Sequence, residues 1–343
     1  MTPLDPASWP LALLVAAFLV LTIVILVGGT ALTRKADEIA EITGLSAALV
    51  GALLLGATTS LPGTVLSISS AFQGYADLAI ANAIGGIVVQ TAFLAVADLV
   101  HRRDNLEYAA ASVSTLMQSM LLIGLLSLPL VAMNLPAVTV FAIHPLSPLL
   151  LVAYMAGLRL IDSAERRPMW RPTPVVPERR LTATELPARA PWLGFALLVP
   201  VAGFAGFALG QVAVALAGVT GLSQTAVGAA FTALVTSLPE LVTAVAAVRR
   251  GALQLAVGGI IGGNAYDVLF LALSDVAYRD GSLYHAFAAD HVLLIALSIL
   301  MTAVLALGML KRDRFGPARI GFESVLVLVL YLVSLSRLFT AGG

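Results

Sequence analysis

Thr236-Ser237-Leu238-Pro239-Glu240 interrupts an apolar run that extends from Leu222 to Val248. A charged side chain near the middle of a membrane helix costs roughly 2.5–3.5 kcal/mol on the gentlest scale, so it is rarely left without a function. Pro239 removes a backbone donor and crowds the carbonyl four residues back, that of Val235. The stretch therefore sets an acid, two hydroxyls and a freed carbonyl at one depth. Those groups are oxygen ligands for a hard cation. The same phrase occurs earlier as Thr59-Ser60-Leu61-Pro62, where Gly63 follows instead of glutamate.

The rest of the chain is the solvent-averse setting this stretch needs. Of 343 residues, 59% are hydrophobic and 11% charged, and the mean hydropathy is +0.99. That composition belongs to a polytopic membrane protein rather than a soluble domain. The formal net charge is zero, which gives no footprint for nucleic acid or any other strongly charged partner. There is no cysteine, so disulfides and thiolate metal sites are excluded. Met1 to Pro10 carries no Lys or Arg, and the apolar run from Leu11 to Leu32 is too long for the core of a cleaved signal. It reads as the first membrane helix.

A membrane helix needs about 17–25 predominantly apolar residues. Ten segments qualify: 11–32, 45–70, 76–100, 108–131, 135–160, 191–218, 222–248, 252–276, 288–309 and 320–340. The predicted fold is an all-α polytopic membrane protein. A Pro- and Arg-rich linker over 162–190 separates a first half, 1–161, from a second, 191–343. It is too short and polar for a folded regulatory domain. With both termini outside, 17 of the 19 Lys and Arg residues fall on the inner side, and only Arg279 and Arg337 fall outside. This is the positive-inside pattern of an integral membrane protein, with the linker cytoplasmic.

A shift of 177 residues lays 42–102 over 219–279 without a gap, with 23 of 61 positions identical. The matches include Thr-Gly-Leu-Ser (43–46 and 220–223), Ile-Gly-Gly (84–86 and 261–263) and Phe-Leu-Ala (93–95 and 270–272). Such periodicity decides a fold. Five helices per half is an odd number, so the second half enters the membrane with opposite polarity. The prediction is two inverted five-helix repeats, with an ion site where both are interrupted by Pro and Gly.

These motifs resemble the α-repeats of the calcium/cation antiporter superfamily, the sodium/calcium-exchanger type. The second repeat, Thr236 to Glu240 followed by Gly262-Gly263-Asn264-Ala265-Tyr266-Asp267, is close to the family pattern. In the first repeat Thr59 to Pro62 and Asn82-Ala83-Ile84-Gly85-Gly86 match. The resemblance implies a secondary antiporter, not an enzyme, that exchanges Ca²⁺ or a similar divalent cation for Na⁺ or H⁺. The ions are its substrates and no cofactor is implied. It further implies a ligand set of Glu240, Asp267, Thr236, Ser237, Thr59 and Ser60, with Gln90 at the place of a family amide and the carbonyls of Gly56 and Ala233 at sodium sites. Gly63 stands where the family has its first-repeat glutamate, and Ile87 and Gln90 where it has asparagines. Two acids balance one Ca²⁺, two Na⁺ or two protons. Alternatives are a monovalent Na⁺/H⁺ exchanger on the same fold and a degenerate, non-transporting member. The implied setting is a prokaryotic inner membrane, with membrane lipids and the transported cations as partners and no nucleic acid.

Other polar residues have plainer readings. Asp98 and Asp275 read as solvated helix ends, and Asp290 and Glu323 as helix-dipole partners or caps. The Gly-Gly pairs read as points of close helix approach. Asn82 reads as interhelical glue, and Asn264 as a residue that orients Asp267. The four histidines make no metal spacing. Ser147 near His144 is the only weak candidate for an intramembrane hydrolase, and Gln118 and Gln211 carry no assigned role.

Overall fold

A computed structural model describes residues 5–43, 56–101, 104–166, 190–314 and 321–340. These are almost entirely helical, with one isolated antiparallel bridge between Val140 and Ile143. In chain order the helices are α1 (Leu11–Thr43), α2a (Gly56–Thr59), α2b (Leu61–Phe72), α3 (Ala76–His101), α4 (Val113–Ala132) and α5 (Leu146–Arg166). Then follow α6 (Ala190–Thr220), α7a (Gln224–Thr236), α7b (Leu238–Arg249), α8a (Leu253–Asp267), α8b (Leu269–Ala277), α9 (Ala289–Lys311) and α10 (Phe322–Thr340). Among the described residues eight helices are individually long and apolar enough to cross a membrane, and the bent pair α7a/α7b makes nine. The predicted second segment, 45–70, is described only from Gly56 onward.

Three predicted boundaries move. α1 continues to Thr43 instead of stopping at residue 32, because the polar Arg34 to Glu38 stretch contains no helix breaker. α4 starts at Val113 with Ser112 accepting the Thr115 N–H at 3.0 Å as its cap, not at residue 108. α5 starts at Leu146, not at 135. Residues 138–143 instead turn back at Phe141 and Ala142, both at positive φ. Of the linker, residues 167–189 lie outside the described residues, as do 44–55 and 102 of the first repeat core.

The 177-residue relation survives as geometry. Gly74 and Gly251, related by it, both adopt positive φ (+83° and +80°) and turn the chain from the second to the third helix of each half. Gly29 of α1 lies against the Pro239 ring of α7b, and its counterpart Gly206 of α6 lies against the backbone of Pro62 on α2b. In both places a Cβ would collide, so the outer pair α1 and α6 sits directly on the two proline breaks. α3 and α8 are the most buried spans and form the centre. α1 and α6 pack on each other and present Leu19, Ile23, Leu193 and Leu197 outward.

Two carboxylates fasten the halves to each other. Asp98, near the end of α3, accepts from the Leu106 N–H (2.9 Å), the Gly321 N–H (3.0 Å) and Ser324 Oγ (3.0 Å). Asp275, near the end of α8b, accepts from the Leu283 N–H (2.9 Å), the His144 N–H (2.8 Å) and Ser147 Oγ (2.6 Å). Every partner in one set is 177 residues from its counterpart in the other. Both aspartates are fully buried, which corrects their reading as solvated helix ends. Burial without solvent is tolerable because each carboxylate receives three donors. Glu323, in the first turn of α10 where an acid suits the helix dipole, is also buried, at 1% exposure. Ser147 belongs to this fastening, and His144 Nδ1 accepts from the Leu146 N–H (3.1 Å), so the pair is not a nucleophile and its base.

Candidate cation site

Both Thr-Ser-Leu-Pro phrases break their helices at the serine. Ser60 (φ −85°, ψ 3°) separates α2a from α2b, and Ser237 (φ −96°, ψ 0°) separates α7a from α7b with a 44° bend. Proline two positions on cannot donate to the preceding turn, so the ladder opens there. The break is preceded in α7a by a π-helical stretch, Val227–Thr232. Polar side chains from both halves turn into the gap.

Glu240 and Asp267 are buried together at the centre, at 4% and 1% exposure. Ser60 Oγ donates to Glu240 Oε1 at 3.2 Å and also reaches the Asp267 carboxyl. Gln90 Nε2 donates to Asp267 Oδ2 at 2.7 Å and lies 3.2 Å from Ser237 Oγ. Three oxygens here have no hydrogen-bond donor: Glu240 Oε2, Asp267 Oδ1 and Gln90 Oε1. Buried acceptors without donors are rare in folded proteins and need an explanation. Carboxylate, amide and hydroxyl oxygens at one point, short of donors, are what a hard cation accepts. Among the described residues no third acid joins them.

The remaining predicted ligands stand as follows. Thr59 Oγ1 donates to Gly56 O (3.2 Å), and Thr236 Oγ1 to Ala233 O (3.3 Å). The same two carbonyls accept from the Ser60 N–H (3.0 Å) and Ser237 N–H (3.1 Å). The Gly56 and Ala233 carbonyls are thus occupied by their own helices. Asn264 Nδ2 donates to Thr91 Oγ1 (2.9 Å), not to Asp267, so it does not orient that acid. Its Oδ1 is buried without a donor and belongs with the open oxygens. Asn82 is interhelical glue: it donates to Gly63 O (3.2 Å) and Ser67 Oγ (3.0 Å) and accepts from Thr232 Oγ1 (2.9 Å).

The glycines divide by role. Gly85 lets α3 approach the backbone of Ala229, whereas a Cβ at Gly86 would lie 3.6 Å from Asp267 Oδ2 and 3.7 Å from Ser237 Oγ. Gly263, its counterpart, faces Gln90 Oε1 at 3.6 Å. Sequence alone could not separate these two uses of Gly-Gly. Nor could it show that Phe270 occupies the space beside Gly63, with its Cε2 3.2 Å from where a Cβ would stand.

With this geometry in place, comparison with known proteins gives a consistent relation. The sequence model of the family described as "Sodium/calcium exchanger protein" matches residues 13–160 and 190–340. The chain is 26% identical over 324 residues to the inner membrane protein YrbG of Escherichia coli (strain K12), covering 84% of this chain and 87% of that protein. It is 28% identical over 324 residues to the putative antiporter CaxA of Alkalimonas amylolytica, covering 86% and 92%. A solved structure of the sodium-calcium exchanger NCX_Mj superposes with a TM-score of 0.63 at 18% identity, covering 95% of this chain and 99% of that one. That likeness establishes a shared fold of ten helices in two repeats.

Proposed function

The chain belongs to the sodium/calcium exchanger family of membrane cation antiporters, and from that premise we propose that it exchanges Ca²⁺, or a similar divalent cation, for Na⁺ or H⁺. The observation that carries this reading is the pair Glu240 and Asp267, buried between the halves and surrounded by oxygens without donors. Two carboxylates in a dry site are tolerable when a cation or protons neutralise them. Ser60, Ser237, Thr59, Thr236 and Gln90 complete the shell. Gly56 and Ala233 contribute their carbonyls only after releasing the threonine hydroxyls they now hold.

Exchange follows from mutual exclusion. One Ca²⁺ satisfies both acids, and so do two Na⁺ or two protons, but not all at once. Alternating access then moves the outer pair α1 and α6 over the two proline breaks, opening the site to one side at a time. The Lys and Arg distribution supports an orientation with both termini outside and the linker in the cytoplasm. A relative named as an inner membrane protein supports a prokaryotic inner membrane.

Thermal stability of the purified protein tests the reading, because a ligand stabilises only the state it binds; at 100 times Kd the gain is about 2.7 kcal/mol. Protection by Ca²⁺ that disappears in Glu240→Gln is the expected result. Protection by Na⁺ alone assigns a monovalent exchanger. No protection by any cation overturns the proposal.

A further inference from the structure

The fastenings at the two ends of the molecule share a hydrogen-bond pattern, but one of their members has changed its chemistry. At the outer end Ser147 Oγ donates to Asp275 Oδ2 at 2.6 Å and lies 2.9 Å from the Tyr284 hydroxyl. A serine has one hydrogen to give. With that hydrogen on Asp275, the second contact is held by the hydrogen of Tyr284. At the inner end Ser324 Oγ donates to Asp98 Oδ2 at 3.0 Å and lies 3.3 Å from Glu107 Oε1. Glu107 is the counterpart of Tyr284, 177 residues earlier. The contact to Asp98 is the shorter of the two, so Asp98 is the acceptor of the serine hydrogen. An ionised Glu107 would then meet Ser324 lone pair to lone pair.

We propose that Glu107 is a second proton-binding site, at the inner face. As a carboxylic acid it donates its own O–H to Ser324 Oγ, as Tyr284 does to Ser147, and its loss of that proton loosens the Asp98–Ser324 fastening. The site is closed: Glu107 is 2% exposed and its Oε2 has no hydrogen-bond partner. Glu323 Oε2, also buried and without a partner, converges on the same point. A Cβ on Gly321 would stand 3.1 Å from the first oxygen and 2.7 Å from the second. The charged groups facing this point are Asp98 on α3 and Glu323 on α10, with Lys311 and Asp313 at the end of α9 acting on Glu323. Arg312 stacks over the neighbouring Tyr108 ring at 5.3 Å. Burial, reinforced by the Asp98 carboxylate, pushes the Glu107 pKa up to about 8.

The sign of the linkage is fixed. A carboxyl whose pKa is raised on folding stabilises the folded state below its unfolded pKa, and the contribution fades as pH rises toward the folded value. Stability therefore declines between about pH 4.5 and about pH 8 and levels off above that. The test uses the full chain in detergent, in a Glu240→Gln background that removes the buried glutamate of the candidate cation site. Infrared difference spectra with labelled glutamate should show a protonated-carboxyl band at pH 7 that is lost between pH 7 and pH 9. Glu107→Gln should abolish the band change and flatten the decline in melting temperature, and Glu107→Tyr should do the same. An unchanged band and an unchanged decline in Glu107→Gln overturn the proposal. Should neither variant fold, the absence of any protonated-glutamate band at pH 7 overturns it in the Glu240→Gln protein alone.

Discussion

Gln90 and Asp267 occupy the same position in the two halves, and they bond to each other, Nε2 to Oδ2, at 2.7 Å. The pseudo-dyad therefore passes between them, and the candidate cation site lies around it. Symmetry stops at chemistry, because one half supplies an amide where the other supplies an acid. A second asymmetry lies beside it, with Gly63 opposite Glu240.

Glu240→Gln and Asp267→Asn each remove one of two charges from a buried site. Two unit charges 4 Å apart interact by roughly 4 kcal/mol at an effective dielectric of 20, about a thousandfold in affinity. Isothermal titration with Ca²⁺ should show a loss of two to three orders of magnitude, roughly, in either variant. An affinity within a factor of three of the parent would remove these acids from the ligand set.

Transport should be close to electroneutral. Two carboxylates balance one divalent ion against two monovalent ones, and no third acid joins them among the described residues. Proteoliposomes loaded for exchange should show Ca²⁺ flux with little dependence on an imposed voltage. A large voltage-driven Ca²⁺ current contradicts this stoichiometry.

Gly63→Glu should not by itself restore a third ligand. Its Cβ would crowd Phe270 Cε2 at 3.2 Å and Thr236 Oγ1 at 3.4 Å, and overpacking of this kind costs about 1–3 kcal/mol. The single variant should melt lower than the parent. Combined with Phe270→Leu it should regain stability and bind Ca²⁺ more tightly. Equal Ca²⁺ affinity in the double variant and the parent would show that position 63 does not reach the cation.

Asp98→Asn and Asp275→Asn should be destabilising by about 3 kcal/mol each, since an amide cannot accept all three donors that each carboxylate now holds. The two losses should be similar, because the partner sets correspond one to one. Chemical denaturation in detergent gives the comparison, and a loss below about 1 kcal/mol in either would deny the fastening role.

At the Asp275 fastening acid should act where alkali acts at the Asp98 fastening. Burial lowers the His144 pKa, so the neutral ring that accepts the Leu146 N–H is favoured by folding. Its contribution is present above the ordinary histidine pKa of 6.5 and is lost as pH falls below it. His144→Asn should melt with less acid sensitivity than the parent between pH 6.5 and pH 5. Identical acid profiles would show that the ring does not carry the effect.

Much of this architecture was legible in the sequence because the bilayer leaves few options. Apolar length fixes spans, and a strict 177-residue repeat with five helices per half fixes inversion. The buried position of Glu240 was legible because it lies beside a proline in a long apolar run. Asp98 and Asp275 were misread because a carboxylate at a helix end looks solvated until its donors are known, and two of the three donors of each lie 128 to 226 residues away, in the other half. The start of α5 was missed because Leu135 to Ile143 is apolar enough to read as helix. Only the turn at Phe141 and Ala142, two non-glycine residues at positive φ, shows otherwise.

The crossed fastenings also bear on ancestry. Asp98 finds two of its three donors, Gly321 and Ser324, in the other half, and Asp275 does likewise with His144 and Ser147. A solitary five-helix chain would bury an aspartate with most of its donors missing. A single-repeat forebear would satisfy that aspartate only against an upside-down twin.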